Sequence, residues 1–317
     1  MISVVIPVYN EEGSLSELHR QLASVLADGR LGPHELVFVD DGSTDGSWRT
    51  ISEISRADHR IRAIRFRRNF GKAAALTAGF QAAQGSRVFT MDADLQDDPA
   101  EIPRFLAKLD EGFDVVSGWK KVRHDPWHKV IPSRIFNAMV SRMTGCRLHD
   151  HNCGFKAYRA EVLREVGIYG ELHRFVPVLA HARGFRVSEI VVTHRARRHG
   201  RSKYGFSRFM KGFLDLLTVR FLTGFRQRPL HILGGAGLAL TSVGVLVLLY
   251  MAGLWVAGER PIGNRPPLLY ALAFLIVGVQ LLGVGILAEM VTSYNIRPGD
   301  TYSIAERLEP PDEDPEG

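Results

Sequence analysis

The sequence predicts an α/β domain with a mostly parallel sheet, followed by an interfacial helix and a two-helix transmembrane hairpin. Three observations carry this. Strand and helix signals alternate over residues 1 to 118, the pattern of a sheet covered by helices on both faces. Polar clusters rich in acid recur where the predicted strands end, at Tyr9-Asn10-Glu11, Asp40-Asp41-Gly42-Ser43 and Asp92-Ala93-Asp94. Open sheets of this kind bind ligands beyond the carboxyl ends of their strands. Finally, no Asp, Glu, Lys or Arg occurs from Pro229 to Gly258 or from Pro266 to Ala288, and each run exceeds the ~20 residues a helix needs to cross a bilayer.

Taken in order, Ile2 to Tyr9 (ISVVIPVY) reads as a buried strand and Glu12 to Leu26 as an amphipathic helix. A strand at Glu35 to Val39 and a helix near Gly46 to Arg56 follow, then a strand around Ile61 to Phe66 and a helix from Gly71 to Gln84. The fourth strand is Arg87 to Met91, its acidic loop leads to a helix from Pro99, and a fifth strand covers Asp114 to Ser117. From Gly118 to about Gly205 the chain is less regular and rich in Arg, His and Lys. Phe206 to Phe225 alternates apolar and basic residues as a helix lying in the membrane interface does, although a helix packed on the soluble domain has the same pattern. The tail Glu309 to Gly317 is Pro- and acid-rich, the composition of a disordered segment. The expected domains are therefore 1–205, a juxtamembrane helix at 206–228, two spans within 229–292 (about 229–258 and 266–290), and a tail at 293–317.

With 317 residues, 45% hydrophobic and 23% charged, the chain has the composition of a globular protein, which excludes wholesale disorder. A net charge of +6 and a pI near 9.4 call for an anionic partner. The two cysteines, Cys146 and Cys153, are too few for a disulfide framework and match no common zinc spacing. MISVVIPVYNEE lacks a basic leader and reads as the first strand rather than a signal peptide. The short polar loop Glu259 to Arg265 makes the two spans a hairpin, and Lys211, Arg220, Arg226 and Arg228 before the first span place the large domain in the cytoplasm.

The stretch TMDADLQDDP puts four aspartates within seven positions. In an extended segment alternate residues point the same way, so Asp92, Asp94 and Gln96 present three oxygens to one side. Such oxygens suit Mg2+ or Mn2+, and without a cation the paired carboxylates would raise each other's pKa. Asp97 and Asp98 precede Pro99, where they suit a helix N-cap. The dense basic stretch Arg195 to Lys203 carries Arg197, Arg198, Ser202 and Lys203, side chains that bond phosphate oxygens. No helix-turn-helix or RNP signal accompanies it, so nucleic acid is not the expected partner.

Several stretches in order are similar to one family: VVIPVYNEE (Val4 to Glu12), VDDGSTD (Val39 to Asp45), RNFGKAAALTAG (Arg68 to Gly79), MDADLQDDP (Met91 to Pro99), GWKKVRHDP (Gly118 to Pro126), LHDHNCGFKAYR (Leu148 to Arg159) and RRHGRSKYG (Arg197 to Gly205). The chain resembles an inverting GT-A glycosyltransferase of family 2, in the polyprenyl-phosphate (dolichyl-phosphate mannose synthase-like) branch. The two spans match its small bacterial members, and the likeness covers nearly the whole chain. It implies a GT-A, Rossmann-like domain that moves one sugar from a UDP- or GDP-sugar to polyprenyl (undecaprenyl) phosphate at the inner membrane, with Mg2+ or Mn2+. Two-span members can be tetrameric, so the resemblance also allows a homo-oligomer (tetramer).

Residue by residue, the resemblance assigns donor binding to Pro7, Tyr9, Glu11, Asp40, Asp41, Lys72, Asp92, Ala93, Arg198, Ser202 and Lys203. It assigns the metal to Asp92, Asp94 and Gln96, and the acceptor phosphate to Arg123, Ser133 and Arg134. Asp94, Asp150 and Arg197 are the implied catalytic residues. The phosphate acceptor is already anionic at neutral pH, its second pKa being near ~6, so Asp150 is expected to orient a basic residue or sugar hydroxyl, with base catalysis the lesser option. Two rivals stand beside this: a polysaccharide-extending synthase, disfavoured because no Gln-x-x-Arg-Trp motif follows the domain, and a non-catalytic lipid- or nucleotide-binding membrane protein.

Overall fold

The structure, a computed structural model, describes residues 1–121, 127–166, 172–195, 214–216, 218–219, 229–259 and 265–295. It divides into two compact units, Met1–Arg220 and Phe221–Gly317.

The first unit is a seven-stranded sheet: β1 (Ile2–Val8), β2 (His34–Asp40), β3 (Ile61–Arg65), β4 (Arg87–Thr90), β5 (Val115–Trp119), β6 (Lys156–Arg159) and β7 (Val187–Val191). The spatial order is β3-β2-β1-β4-β6-β5-β7. β6 runs antiparallel to both neighbours and every other pairing is parallel. The carboxyl ends of β1, β2, β4 and β5 therefore share one rim with the start of β6, where Lys156 lies opposite both Thr90 and Ser117.

The helices of this unit are α1 (Glu12–Leu26), α2 (Ser47–Ala57), α3 (Lys72–Ala82), α4 (Ile102–Asp110), α5 (Trp127–Thr144), α6 (Ala160–Glu165) and α7 (Val176–Ala182). The period-2 geometry of β1 sorts them onto the two faces. Val4, Ile6 and Val8 pack with Leu15, Leu18 and Leu22 of α1 and Phe105 of α4, while Val5 packs with Ala75 and Leu76 of α3. Phe105 and Phe155 sit within this cluster with ring centroids 4.5 Å apart and planes tilted by 40°. Beyond β4 a third cluster joins Val115 and Tyr158 to Val162, Val176 and Ala180.

The expected strands and helices of residues 1–118 are present within a few residues of their expected bounds. One difference is that the helix at Pro99 begins as a 3-10 turn, Pro99–Glu101, before α4. The stretch after Gly118 is far more regular than expected, holding α5, β6, α6, α7 and β7. Its signals are weak for physical reasons. α5 has little apolar periodicity and contains Pro132, and β6 is four residues long with a lysine pointing inward.

In the second unit α8 (Pro229–Val256) and α9 (Pro266–Asn295) are each long and apolar enough to cross a membrane. They pack backbone to backbone: a Cβ on Gly237 would lie 2.6 Å from the Gly278 carbonyl oxygen, and one on Gly244 2.8 Å from that of Ala271. Small residues permit such approach, which is how helices associate where apolar burial gives no advantage over lipid. The Leu230 N–H, an orphan of the first turn of α8, donates to Glu289 Oε2 at 3.2 Å. Of the expected juxtamembrane helix only 214–216 and 218–219 are described; they are helical, with Leu216 and Val219 buried and Leu214 exposed. Of the expected tail, 296–317 lies outside the described residues.

Candidate active site

The rim is organised by loops that bind one another through side-chain oxygens. After β1, Asn10 takes a left-handed φ of 57°, its N–H donates to Ser43 Oγ at 3.0 Å, and its Oδ1 accepts from Thr44 N–H at 2.8 Å. The Glu11 N–H donates to Ser47 Oγ at 2.9 Å. Pro7 is half-buried in β1, whereas the Tyr9 ring is 38% exposed over the loop. Asp40 is fully buried, accepting from Ser43 N–H at 3.1 Å and facing Arg65 Nε at 3.3 Å. Asp41 accepts the N–H groups of Phe70 (2.7 Å) and Gly71 (3.0 Å), which fixes the loop leading into α3. Burial pushes the Asp41 carboxyl above its usual range, against those two N–H groups. Gly42, at φ 70°, lets this crossing close: a Cβ there would lie 2.7 Å from the Arg68 Cα. Thus Asp40 and Asp41 hold the rim together, and Tyr9 is exposed at the end of β1.

The acidic loop after β4 departs from the extended geometry expected for it. Leu95 adopts φ 62° and the Gln96 N–H donates to Asp94 Oδ1 at 3.2 Å, so the chain turns at Asp94 instead of running on. Asp92 and Asp94 consequently differ in surroundings. Asp92, half-buried as Ala93 beside it is not, forms an ion pair with Lys72 of α3. Burial pushes the Asp92 carboxyl up, but Lys72, then Lys120, outweighs it and holds the group well below the usual carboxylate range. Asp94 is nearly buried. Gly154 approaches this carboxylate closely: a Cβ there would lie 2.6 Å from Asp92 Oδ2 and displace it. Asp98 caps the Pro99 turn as expected, accepting from Ala100 N–H at 3.0 Å. Asp97 does not: it is buried against Lys120 Nζ at 2.8 Å and pairs through its backbone with His194. Arg195 binds Asp98 and Gln21, so the chain enters the basic stretch directly beside the acidic turn.

Sequence reasoning missed three cationic or basic groups that crowd this turn: Lys120, Lys156 and His173. Lys156 sits at the rim end of β6, buried, with its ammonium bonded to the Cys153 carbonyl oxygen. Burial pushes its pKa down, while Asp150 and Asp92 pull it up. His173 is held as a neutral imidazole, its pKa pushed down to about 2 by burial and by Lys72. The available signal was the inward lysine in Phe155-Lys156-Ala157, an ionisable side chain interrupting a buried strand.

Asp150 is buried in the loop between α5 and β6, where its Oδ1 accepts the Asn152 N–H at 3.1 Å. That loop is tied to α5: Asn137 Nδ2 donates to the His149 carbonyl at 3.0 Å and Ser141 Oγ to that of Leu148 at 2.9 Å. Ser133, Asn137 and Ser141 are spaced at four residues, so Ser133 shares the helix face turned toward the Asp150 loop, while Arg134 is exposed beside it. Arg123, Arg197, Arg198, Ser202 and Lys203 lie outside the described residues.

The donor set fits a hard divalent cation. Asp92, Asp94 and Gln96 offer oxygen ligands, and the buried Cys153 thiol has its pKa pushed up to about 12 by burial and stays protonated. Among the described residues no group of three or more His, Cys, Asp or Glu side chains could hold a metal ion. A site with two carboxylates and an amide therefore needs oxygens from elsewhere, such as a diphosphate.

The Glycosyl transferase family 2 profile matches residues 3–167, just over half of the chain. The chain belongs to glycosyl transferase family 2. A dodecaprenyl-phosphate galacturonate synthase of Rhizobium johnstonii is 40% identical over 297 residues, which cover 92% of this chain and 87% of that one. An undecaprenyl-phosphate 4-deoxy-4-formamido-L-arabinose transferase of Edwardsiella ictaluri is 38% identical over 99% of this chain and 97% of its own length. Among solved structures, glucosyl-3-phosphoglycerate synthase of Mycobacterium tuberculosis, in complex with Mn2+ and uridine-diphosphate-glucose, shares the fold at TM-score 0.53 and 22% identity, over 69% of this chain and 78% of that one. The first unit thus has the GT-A, Rossmann-like architecture of the family, and its acidic turn lies at the carboxyl rim of β4.

Proposed function

We propose that this family 2 enzyme transfers one sugar from a nucleotide sugar, UDP- or GDP-linked, to polyprenyl phosphate, specifically undecaprenyl phosphate, at the cytoplasmic face of the inner membrane. The observation that carries this is the match to prenyl-phosphate sugar transferases along 92% and 99% of the chain, membrane hairpin included.

The rim residues divide the work. Tyr9 offers a ring for the base, and Glu11, backed by Asp40 and Asp41, offers a carboxylate for ribose hydroxyls. Asp92, Asp94 and Gln96 would hold Mg2+ or Mn2+, which when bound neutralises charge on the leaving nucleoside diphosphate. Lys72, at the first turn of α3, adds an ammonium and a helix N-terminus for phosphate oxygens. Arg197, Arg198, Ser202 and Lys203 supply further phosphate contacts. Ser133 and Arg134 of α5, with Arg123, receive the acceptor phosphate. One of its oxygens attacks the anomeric carbon as the bond to the diphosphate breaks, and this single displacement inverts the centre without a covalent enzyme intermediate. Catalysis rests on in-line positioning and on charge stabilisation by groups already in place.

The test uses the full chain purified in detergent with undecaprenyl phosphate and labelled UDP- and GDP-sugars, with Mg2+, with Mn2+ or with EDTA. Transfer of one label into the lipid fraction, lost with EDTA, is the expected result; transfer from no donor by a folded protein overturns it. In the same assay Arg134→Ala should raise the KM for lipid phosphate roughly tenfold, as loss of a charged hydrogen bond does, and the KM for nucleotide sugar much less. Equal effects on both would remove Arg134 from the acceptor site.

A further inference from the structure

Lys72 joins two parts of the site that bind opposite charges. Its ammonium pairs with Asp92 Oδ1, while its backbone opens α3. The Asp92 carboxylate leaves little room for a second cation beside that ammonium. Gly154 crowds it from another side, where a Cβ would come 2.6 Å from Oδ2 and 2.9 Å from Oδ1. A divalent cation and the Lys72 ammonium on the same carboxylate would stand at contact distance and repel each other.

Two other lysines act on Asp92 through space, and both are fixed. Lys120 is held by the buried Asp97 at 2.8 Å, and Lys156 is buried with its ammonium on the Cys153 carbonyl oxygen. Lys72 differs, because its side chain is 34% exposed and its ammonium ends a flexible four-carbon stem. A second anionic partner is available to it at its own helix terminus. The first bond of α3 runs from the Ala75 N–H to the Gly71 carbonyl at 3.2 Å, which leaves the N–H groups of Ala73 and Ala74 without a partner in the helix. Asp41 takes the Phe70 and Gly71 N–H groups just before, so the place where that turn begins is set. A helix N-terminus favours a phosphate oxygen, and an ammonium rooted in the same turn favours it further.

We propose that Lys72 exchanges between Asp92 and the donor diphosphate: it holds Asp92 until a nucleoside diphosphate draws the ammonium to its phosphate oxygens, and Asp92 then takes the divalent cation. Lys72 thereby makes cation binding conditional on the nucleotide. This rests on the donor and metal sites described under the proposed function. The charges balance in the exchange. Asp92 trades one positive charge for two, and the arriving diphosphate brings the negative charge that offsets both the cation and the displaced ammonium.

The experiment titrates the full chain in detergent with Mn2+, counting the unbound ion by electron paramagnetic resonance, and separately with UDP and GDP. Wild type, Lys72→Met and Lys72→Arg are compared. The expected result is that Lys72→Met binds Mn2+ alone about tenfold more tightly than wild type, since a like charge at contact distance is gone, and binds the nucleotide about tenfold more weakly. Lys72→Arg keeps the charge and should stay near wild type in Mn2+ affinity. A merely structural role cannot produce a gain in one affinity beside a loss in the other. Unchanged or weaker Mn2+ binding by Lys72→Met overturns the proposal, and so does tighter Mn2+ binding with nucleotide affinity intact, because the ammonium would then never reach the diphosphate. If Lys72→Met does not fold, Lys72→Gln decides on the same two affinities. Wild type that binds neither Mn2+ nor either nucleotide overturns the proposed function, and the exchange with it.

Discussion

Asp94→Asn is expected to lower kcat by about three orders of magnitude, with folding and membrane insertion unchanged. The substitution keeps the shape of the side chain and an oxygen for the Gln96 N–H that now reaches Asp94 Oδ1 at 3.2 Å, so the turn at Leu95 survives. What is lost is one negative charge in a nearly buried position. Asp92 alone does not make up for it, because the site then holds one carboxylate where it held two and Lys72 already offsets the Asp92 charge. The cation then binds weakly and charge developing on the leaving diphosphate goes unmatched, an electrostatic loss on the order of 10^2 to 10^3 or more in kcat. The measurement is single-turnover transfer at fixed, saturating Mn2+ or Mg2+. Near-wild-type turnover would remove Asp94 from the metal site, and recovery at higher metal concentration would show that affinity, not chemistry, was lost.

Lys120→Met is expected to be strongly destabilising to the first unit. Asp97 is 1% exposed and Lys120 Nζ lies 2.8 Å from its Oδ1. The carboxylate raises the Lys120 pKa in spite of the burial that opposes it. Replacing the lysine leaves a buried carboxylate without its cation, a change that costs about 3–5 kcal/mol. For a domain of this size that is a fall of roughly 10 °C in melting temperature, read by intrinsic fluorescence of the full chain in detergent. The double variant Lys120→Met, Asp97→Leu should recover most of the loss, because an apolar pair has no desolvation to repay. A Lys120→Met protein that melts within a degree or two of wild type would mean that water reaches Asp97.

The same pair shows what sequence reasoning could not see. Asp97 and Asp98 look equivalent before Pro99, and a helix cap was expected of both. Only Asp98 caps; Asp97 turns inward because Lys120, in the β5 end far along the chain, waits for it there. The metal loop repeats the lesson. Alternation along an extended strand would have aligned Asp92, Asp94 and Gln96, but the left-handed Leu95 and the Asp94–Gln96 hydrogen bond bend the chain at that point. Lys72, identified within a motif, acquires its role only by meeting Asp92 across twenty residues.

What the sequence by itself determined is therefore whatever depends on local periodicity and composition. Apolar runs of strand length bounded by polar turns marked the first five strands, amphipathic spacing marked α1, and the absence of charge marked the two spans. The ordered motifs marked the family. Only the tertiary structure decided the antiparallel insertion of β6, the arrival of Lys156 among Asp92 and Asp150, and the tethering of the Asp150 loop to α5. The physical reason is the range of the forces involved. Burial and backbone hydrogen bonding act through neighbours a few residues away and leave a period in the sequence, whereas a buried charge is stable only beside a partner that the fold brings from elsewhere.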